Sequence, residues 1–171
     1  MKGFLLDTNV LSELRRPQCS ASVEKFASSQ PSSWLFTSVI NIAEIRFGRN
    51  QAPTAEKQRL IDDWLAQDLR PWFQGRLLPA NEDTFVIWRD IVESGRVRNY
   101  TFPEPDTLIA AIAKQNEMVM VSRDIRPFAE AGIPVLDPWA ARFIQANGQI
   151  HASMPLDNTN LLQILTAAKP Q

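Results

Sequence analysis

The chain has 171 residues, 44% hydrophobic and 22% charged, which supplies a core for one ordinary domain and excludes a disordered chain. With 18 basic and 19 acidic residues the formal net charge is -1, so no overall field draws in a polyanion; a nucleic-acid partner must be held locally, by a metal or a basic patch. Cys19 is the one cysteine, which excludes an internal disulfide, and the opening apolar run is too short for a signal peptide or a membrane span, so a soluble, cytoplasmic protein is expected.

Phe4-Leu5-Leu6 is a wholly apolar run that stops at Asp7-Thr8-Asn9. It predicts a buried central strand, with Thr8 or Asn9 capping a short helix to about Arg15. Pro17 closes that unit, and Ser20 caps a second helix to about Ser28. Trp34-Leu35-Phe36-Thr37 reads as the next strand, after which Ser38 caps a helix carrying Val39, Ile42 and Ile45. From Thr54 to about Phe73 a longer amphipathic helix is expected, with Leu60, Ile61, Trp64, Leu65 and Leu69 on its apolar side. Leu77-Leu78 is a brief edge strand, and Asn81 or Asp83 caps a helix whose inner face is Phe85, Ile87, Trp88, Ile91 and Val92.

Pro103-Glu104-Pro105-Asp106 opens a further helix, with Leu108, Ile109, Ile112 and Ala113 pointing inward. Met118-Val119-Met120-Val121 is a buried strand ending in Ser122-Arg123-Asp124, and Pro134-Val135-Leu136 is the last strand expected. Asp137-Pro138-Trp139 then leads into a final helix to about Ala146. Strands alternating with helices predict an α/β layer fold with a mostly parallel central sheet. We divide the chain into one domain, 1–144, and a tail, 145–171, that holds at most a short helix. In that tail Leu161, Leu162, Ile164 and Leu165 form an apolar stripe, read either as a docking face or as a fraying terminal helix.

Asp7 and Asp124 each follow an apolar strand, and in an open parallel sheet such carboxyl ends share the edge where ligands bind. Glu44 lies in the helix after the second strand and Asp106 at the start of the helix before the fourth, so all four acids can reach one crevice. Clustered carboxylates repel, and a hard divalent cation removes that repulsion. Oxygen donors with no cysteine or histidine nearby favour magnesium, with manganese as the other candidate, over zinc. Such a site suits phosphodiester hydrolysis. Each acid also has a plainer reading: Asp7 as a helix cap, Glu44 as a surface residue, Asp106 as a first-turn acid favoured by the helix dipole, Asp124 as a turn residue.

At these residues the chain resembles the PIN-domain ribonucleases, most closely the VapC-type toxins with FitB-like and plasmid-stability proteins. Leu5-Leu6-Asp7-Thr8-Asn9-Val10-Leu11-Ser12-Glu13 is similar to the family's first acidic motif, and Asn41-Ile42-Ala43-Glu44-Ile45-Arg46-Phe47-Gly48 to its second. Asp106-Thr107-Leu108-Ile109-Ala110-Ala111-Ile112-Ala113 resembles the third and Ser122-Arg123-Asp124 the fourth. Asp137-Pro138-Trp139 resembles the terminal Asn-Pro-Trp often seen there. The resemblance implies a three-layer α/β/α fold and a magnesium site of Asp7, Glu44, Asp106 and Asp124 that cleaves RNA. It also implies a homodimer and a small cognate antitoxin that blocks the acidic pocket, as in type II toxin–antitoxin systems. Thr8, Asn9 and Ser122 match positions that support the acids, and Arg123 a basic residue near the phosphate.

Arg46, two residues after Glu44, is the candidate RNA contact, weighed against a solvated helix face. Trp64, Trp72 and Trp88 could stack bases but have core spacing. His151, the one histidine, sits in the tail, which argues against histidine acid–base chemistry. A phosphatase with an aspartate nucleophile normally needs a second Asp where Asn9 stands, and no phosphate-cradling glycine loop follows any strand. The alternative kept beside the nuclease is a non-catalytic PIN-fold module that binds nucleic acid or protein.

Overall fold

The computed structural model describes residues 1–167; positions 168–171 of the expected tail lie outside the described residues. Its sheet begins from β1 (Phe4–Leu6), whose three side chains are fully buried, as a strand covered on both faces must be. β2 (Leu35–Ser38), β3 (Leu77–Leu78), β4 (Val119–Val121) and β5 (Val135–Asp137) join it in parallel, in the spatial order β3-β2-β1-β4-β5. β6 (Arg142–Ile144) and β7 (Ile150–His151) extend the β5 edge in antiparallel fashion. Phe4 is in register with Leu35 on one side and Val119 on the other. The chain therefore builds outward from β1 in one direction and later returns to its other side. That reversal opens a crevice at the carboxyl ends of β1 and β4.

The helices are α1 (Thr8–Leu14), α2 (Ala21–Ser29), α3 (Val39–Asn50), α4 (Ala55–Asp63), α5 (Arg70–Trp72), α6 (Glu82–Val97), α7 (Glu104–Gln115), α8 (Arg126–Glu130) and α9 (Leu161–Ala167). Alternation along the strands splits the interior into two cores. Phe4, Leu6, Val119, Val121 and Leu136 pack with Leu11, Phe26 and Leu69 on one face. Leu5, Met120 and Val135 pack with Ile109, Ile112 and Phe128 on the other. Phe4 meets Phe26 edge-on, ring centroids 5.1 Å apart, which fixes α2 against the sheet. Helices on both faces of a mostly parallel sheet are the expected three layers.

Three local expectations are corrected. The cap of α1 is Asp7 rather than Thr8 or Asn9: its Oδ1 accepts the Thr8 N–H at 2.7 Å. The long helix from Thr54 is not one regular α-helix; Thr54 does cap it, but Trp64–Leu69 forms a wider π-type turn before Pro71, which has no N–H to continue the regular ladder. The final helix to Ala146 does not form. Asp137 Oδ1 accepts the N–H groups of Trp139 and Ala140 at 2.9 and 3.2 Å, and this local turn sends the chain back as β6. Gly148, at φ 87°, then turns β6 into β7. Beyond the hairpin, Leu161, Leu162 and Leu165 of α9 are buried in the same core as Phe4 and Phe26. Gln30 Nε2 donates to the carbonyls of Leu156 and Asn158 at 3.2 and 3.1 Å, fastening this segment to the end of α2. Among the described residues no helix is long and apolar enough to cross a membrane.

Candidate functional site

Asp7 leaves β1 with its N–H still bonded to the Val121 carbonyl at 3.0 Å, so its side chain begins at the junction of β1 and β4. While Oδ1 caps α1, Oδ2 accepts from Asn9 Nδ2 at 2.7 Å and from Ser122 Oγ at 2.6 Å. Asn9 Nδ2 also reaches Ser122 Oγ at 2.9 Å, and its Oδ1 accepts the Arg123 N–H at 3.3 Å. Ser122 Oγ accepts the Asp124 N–H at 3.0 Å, shaping the turn that carries the fourth acid. The motif after β1 and the motif after β4 are thus one hydrogen-bonded unit.

The second motif joins it through Thr8. At the start of α3, Asn41 is fully buried, and its Oδ1 accepts both the Ser38 N–H and the Ser38 hydroxyl, at 3.1 and 2.5 Å. Its Nδ2 donates to Thr8 Oγ1 at 3.0 Å, which leaves the Thr8 hydroxyl proton for Glu44 Oε2 at 2.5 Å. Asn41 and Ser38 therefore aim Thr8, and Thr8 holds Glu44. The Ser38-x-x-Asn41 spacing is a helix-start signal; its reach to Thr8 is set by the fold alone.

Asp106 enters from the first turn of α7, and among the described residues no side chain donates to its carboxylate. Its carboxyl is pushed up from 3.8 to about 6, by burial first and then by the negative charges of Asp7 and Asp124. Burial likewise raises Asp7 to about 6; the bonds from Ser122 and Thr8 oppose this, while Glu44 and Asp124 add to it. Glu44 is raised by burial and by Asp106, against the pull of Thr8. Each of the four acids predicted from the sequence thus lies within electrostatic reach of at least two others, Asp7 and Asp106 at the centre. Unneutralised, Asp7 and Asp106 hold their protons to a higher pH than ordinary carboxylates, to about 6.

Among the described residues no three acid, histidine or cysteine side chains stand close enough to form a ready metal cage. The donor set nonetheless fits a hard ion that keeps its own waters and takes only one or two carboxylates directly, as magnesium does. Its oxygens are all carboxylate and mutually repelling, and among the described residues none of the four acids has an ion-pair partner and no side chain donates to Asp106.

Of the predicted basic residues, Arg123 has its backbone in the unit, but its guanidinium lies over the Trp139 ring, 4.3 Å from the centroid, and 3.8 Å from Glu13. Arg46 is exposed and lines a separate groove with Phe47, Arg49 and Asp62, so the structure does not bring it beside the Glu44 carboxylate. Trp64 carries the Arg15 guanidinium, Trp88 packs edge-on against Phe85, and His151 stacks on Phe143. Tyr100 and Arg126 were not anticipated. The Arg126 guanidinium lies 5.2 Å above the Tyr100 ring, and that phenol is raised by burial and by Glu130, Asp124 and Asp106, against the pull of Arg126.

Comparison with known proteins accounts for this arrangement. The PIN domain family model matches residues 4–134. The chain is 33% identical to the toxin FitB of Neisseria gonorrhoeae over 136 residues, covering 80% of this chain and 98% of that one. It is 33% identical to the plasmid stability protein StbB of Pseudomonas syringae pv. tomato, over 81% of this chain and 99% of the relative. A VapC ribonuclease of Sinorhizobium fredii is 30% identical, over 80% and 97%. Among solved structures, FitAcB from Neisseria gonorrhoeae superposes with a TM-score of 0.74 at 33% identity, over 80% of this chain and 98% of that one. VapBC-1 from nontypeable Haemophilus influenzae shares the fold with a TM-score of 0.62 at 19% identity, over 79% and 97%. With its acids gathered where β1 meets β4 and its residues 4–134 matched by the family model, this chain belongs to the PIN domain family.

Proposed function

We propose that this protein is a metal-dependent endoribonuclease, the toxin of a type II toxin–antitoxin pair, which hydrolyses phosphodiester bonds in RNA. The observation that carries the reading is the convergence of Asp7, Glu44, Asp106 and Asp124 at the switch point between β1 and β4 of a PIN-family chain. Similarity to FitB, StbB and a VapC ribonuclease supports the toxin assignment, and a small antitoxin partner and a homodimer are proposed with it.

Magnesium, or manganese in its place, would be held by Asp7, Glu44, Asp106 and Asp124; when bound it would supply charge neutralisation and polarise a phosphoryl oxygen. The remaining contributions come from the chain itself. Ser122 and Asn9 donate to Asp7 and favour its ionised form. Thr8, fixed by Asn41, orients Glu44. A carboxylate whose pKa lies near neutrality is suited to accept a proton from an attacking water and release it again.

The competing reading, a binding module without activity, would rest on the lack of a preformed three-ligand cage among the described residues. Incubating the protein with single-stranded RNA oligonucleotides in magnesium, then repeating with excess chelator, separates the two. Cleavage that chelator abolishes and Asp106→Asn removes supports the nuclease. RNA binding with no cleavage by wild type, in magnesium or manganese, refutes it.

A further inference from the structure

Immediately outside the acid cluster lies a groove of about 530 Å³, with Asp124 on its rim and Arg123, Ile125, Arg126 and Ile144 along its walls. Both arginines are exposed and both guanidinium groups lie over aromatic rings: Arg123 over Trp139 at 4.3 Å and Arg126 over Tyr100 at 5.2 Å. Among the described residues Arg126 has no carboxylate partner within ion-pair distance, and Arg123 has only Glu13, at 3.8 Å. Glu130, which also borders the groove, is already paired with Arg98 at 3.1 Å.

We propose that this groove is a nucleotide subsite, in which Arg126 joins Arg123, the residue that the family resemblance already implies near the phosphate, in holding the backbone phosphate of the RNA residue next to the cleaved bond. A guanidinium lying on a ring loses little further freedom on binding, while its edge N–H donors stay free for a bidentate contact with phosphate oxygens. The two stacks flank Asp124 in sequence and give a chain of net charge -1 the local basic patch that its overall charge denies it. Ile125 and Ile144 offer the apolar wall a base requires, and the volume falls within the usual range for small-ligand pockets.

The inference rests on the nuclease reading for its substrate, so its test reads binding apart from cleavage. Anisotropy of a labelled single-stranded RNA is measured with the Asp106→Asn protein, alone and combined with Arg123→Ala, Arg126→Ala, Arg126→Lys or, as a control remote from the groove, Arg89→Ala. Each alanine variant is expected to weaken binding about fivefold to tenfold and to reduce the slope of log K against log salt by about 0.7, the value for one lost phosphate contact on a single strand. Arg126→Lys, which keeps the charge but not the forked guanidinium, should retain the salt slope and lose about threefold in affinity. Arg89→Ala should bind as the parent does. Unchanged affinity and slope in both alanine variants, with circular dichroism confirming their fold, would overturn the subsite and leave the nuclease reading intact. Wild type that binds RNA through these arginines without cutting it would instead remove the nuclease reading and keep the subsite.

Discussion

Ser122 Oγ donates to Asp7 Oδ2 at 2.6 Å, across 115 residues of sequence, and so joins the carboxyl ends of β1 and β4 at the point where the sheet reverses its order of construction. This contact explains how a carboxylate that is only 5% exposed remains available for chemistry. Burial favours its neutral form, while the hydroxyl, the Asn9 amide and the Thr8 N–H favour its anion.

Replacing Ser122 with alanine is expected to lower folding stability by roughly 2 kcal/mol at neutral pH, because a hydrogen bond to a charged, buried group is lost. It also removes a bond that favours ionised Asp7, so the midpoint should move further above about 6. Urea denaturation checks the first effect, and carboxyl carbon NMR titration in chelator the second. An Asp7 midpoint at or below the wild-type value would contradict the role given to Ser122.

The acid cluster makes metal-free stability depend on pH with an unusual sign. Asp106 titrates at about 6 when folded and near 3.8 when unfolded, so between these values the folded protein holds a proton that the unfolded chain has lost. Stability is therefore greatest below about pH 4 for this group and declines as pH rises through 6, and Asp7 acts in the same direction. Asp106→Asn should be the more stable protein in chelator at pH 7.5, by on the order of 1 kcal/mol after allowance for solvent screening, or roughly 2–4 °C in Tm. Magnesium should narrow that gap by stabilising wild type more. Melting curves at pH 5 and 7.5, with and without magnesium, test this; a wild type that gains stability from pH 5 to 7.5 in chelator would show that the carboxylates do not repel as described.

Much of this site is legible in the sequence because its acids follow features that sequence pattern reveals. Asp7 ends the run Phe4-Leu5-Leu6, and Ser122-Arg123-Asp124 ends Met118-Val119-Met120-Val121, so both fall on the binding edge of any parallel sheet. The support for Glu44 is less visible. Asn41 reads as a helix-start residue, and only the packing of α3 on α1 turns its amide toward Thr8. Tyr100 and Arg126 carry no pattern at all, being 26 positions apart and adjacent only once α7 and β4 are folded between them. The helix expected to reach Ala146 fails for the opposite reason: the Asp137 side chain bonds Trp139 and Ala140 locally, and this turn, with Ala141 at φ 48°, outweighs modest helical preference.

The segment beyond the β6–β7 hairpin is expected to contribute to stability rather than hang free. Leu161 is fully buried among core residues, and Leu161→Ala should cost about 3 kcal/mol, a transfer loss plus a cavity. Ile164, on the same helix but 38% exposed, should tolerate alanine within about 0.5 kcal/mol. Denaturation midpoints of the two variants decide the matter. Equal, small losses would mean that α9 does not dock as described.

Gly95 tests whether the loop that brings in Tyr100 and Asp106 is held in place by close packing. A Cβ there would lie 2.6 Å from the Tyr100 carbonyl oxygen and 2.7 Å from the Phe102 ring, and the Tyr100 N–H is bonded to the Gly95 carbonyl at 2.9 Å. Alanine in a helix gains about 1 kcal/mol over glycine, but the backbone oxygen cannot give way without moving the strand of chain that enters α7. Gly95→Ala should therefore destabilise by a net 1–2 kcal/mol or so, and RNA cleavage should fall several-fold as Asp106 and Tyr100 shift together. Gly48, in α3 with nothing within 4 Å of the added carbon, is the matched control: alanine there should stabilise by roughly 0.5–1 kcal/mol. If both substitutions stabilise, and cleavage is untouched in Gly95→Ala, the loop has more room than these distances allow and its control over the acids is disproved.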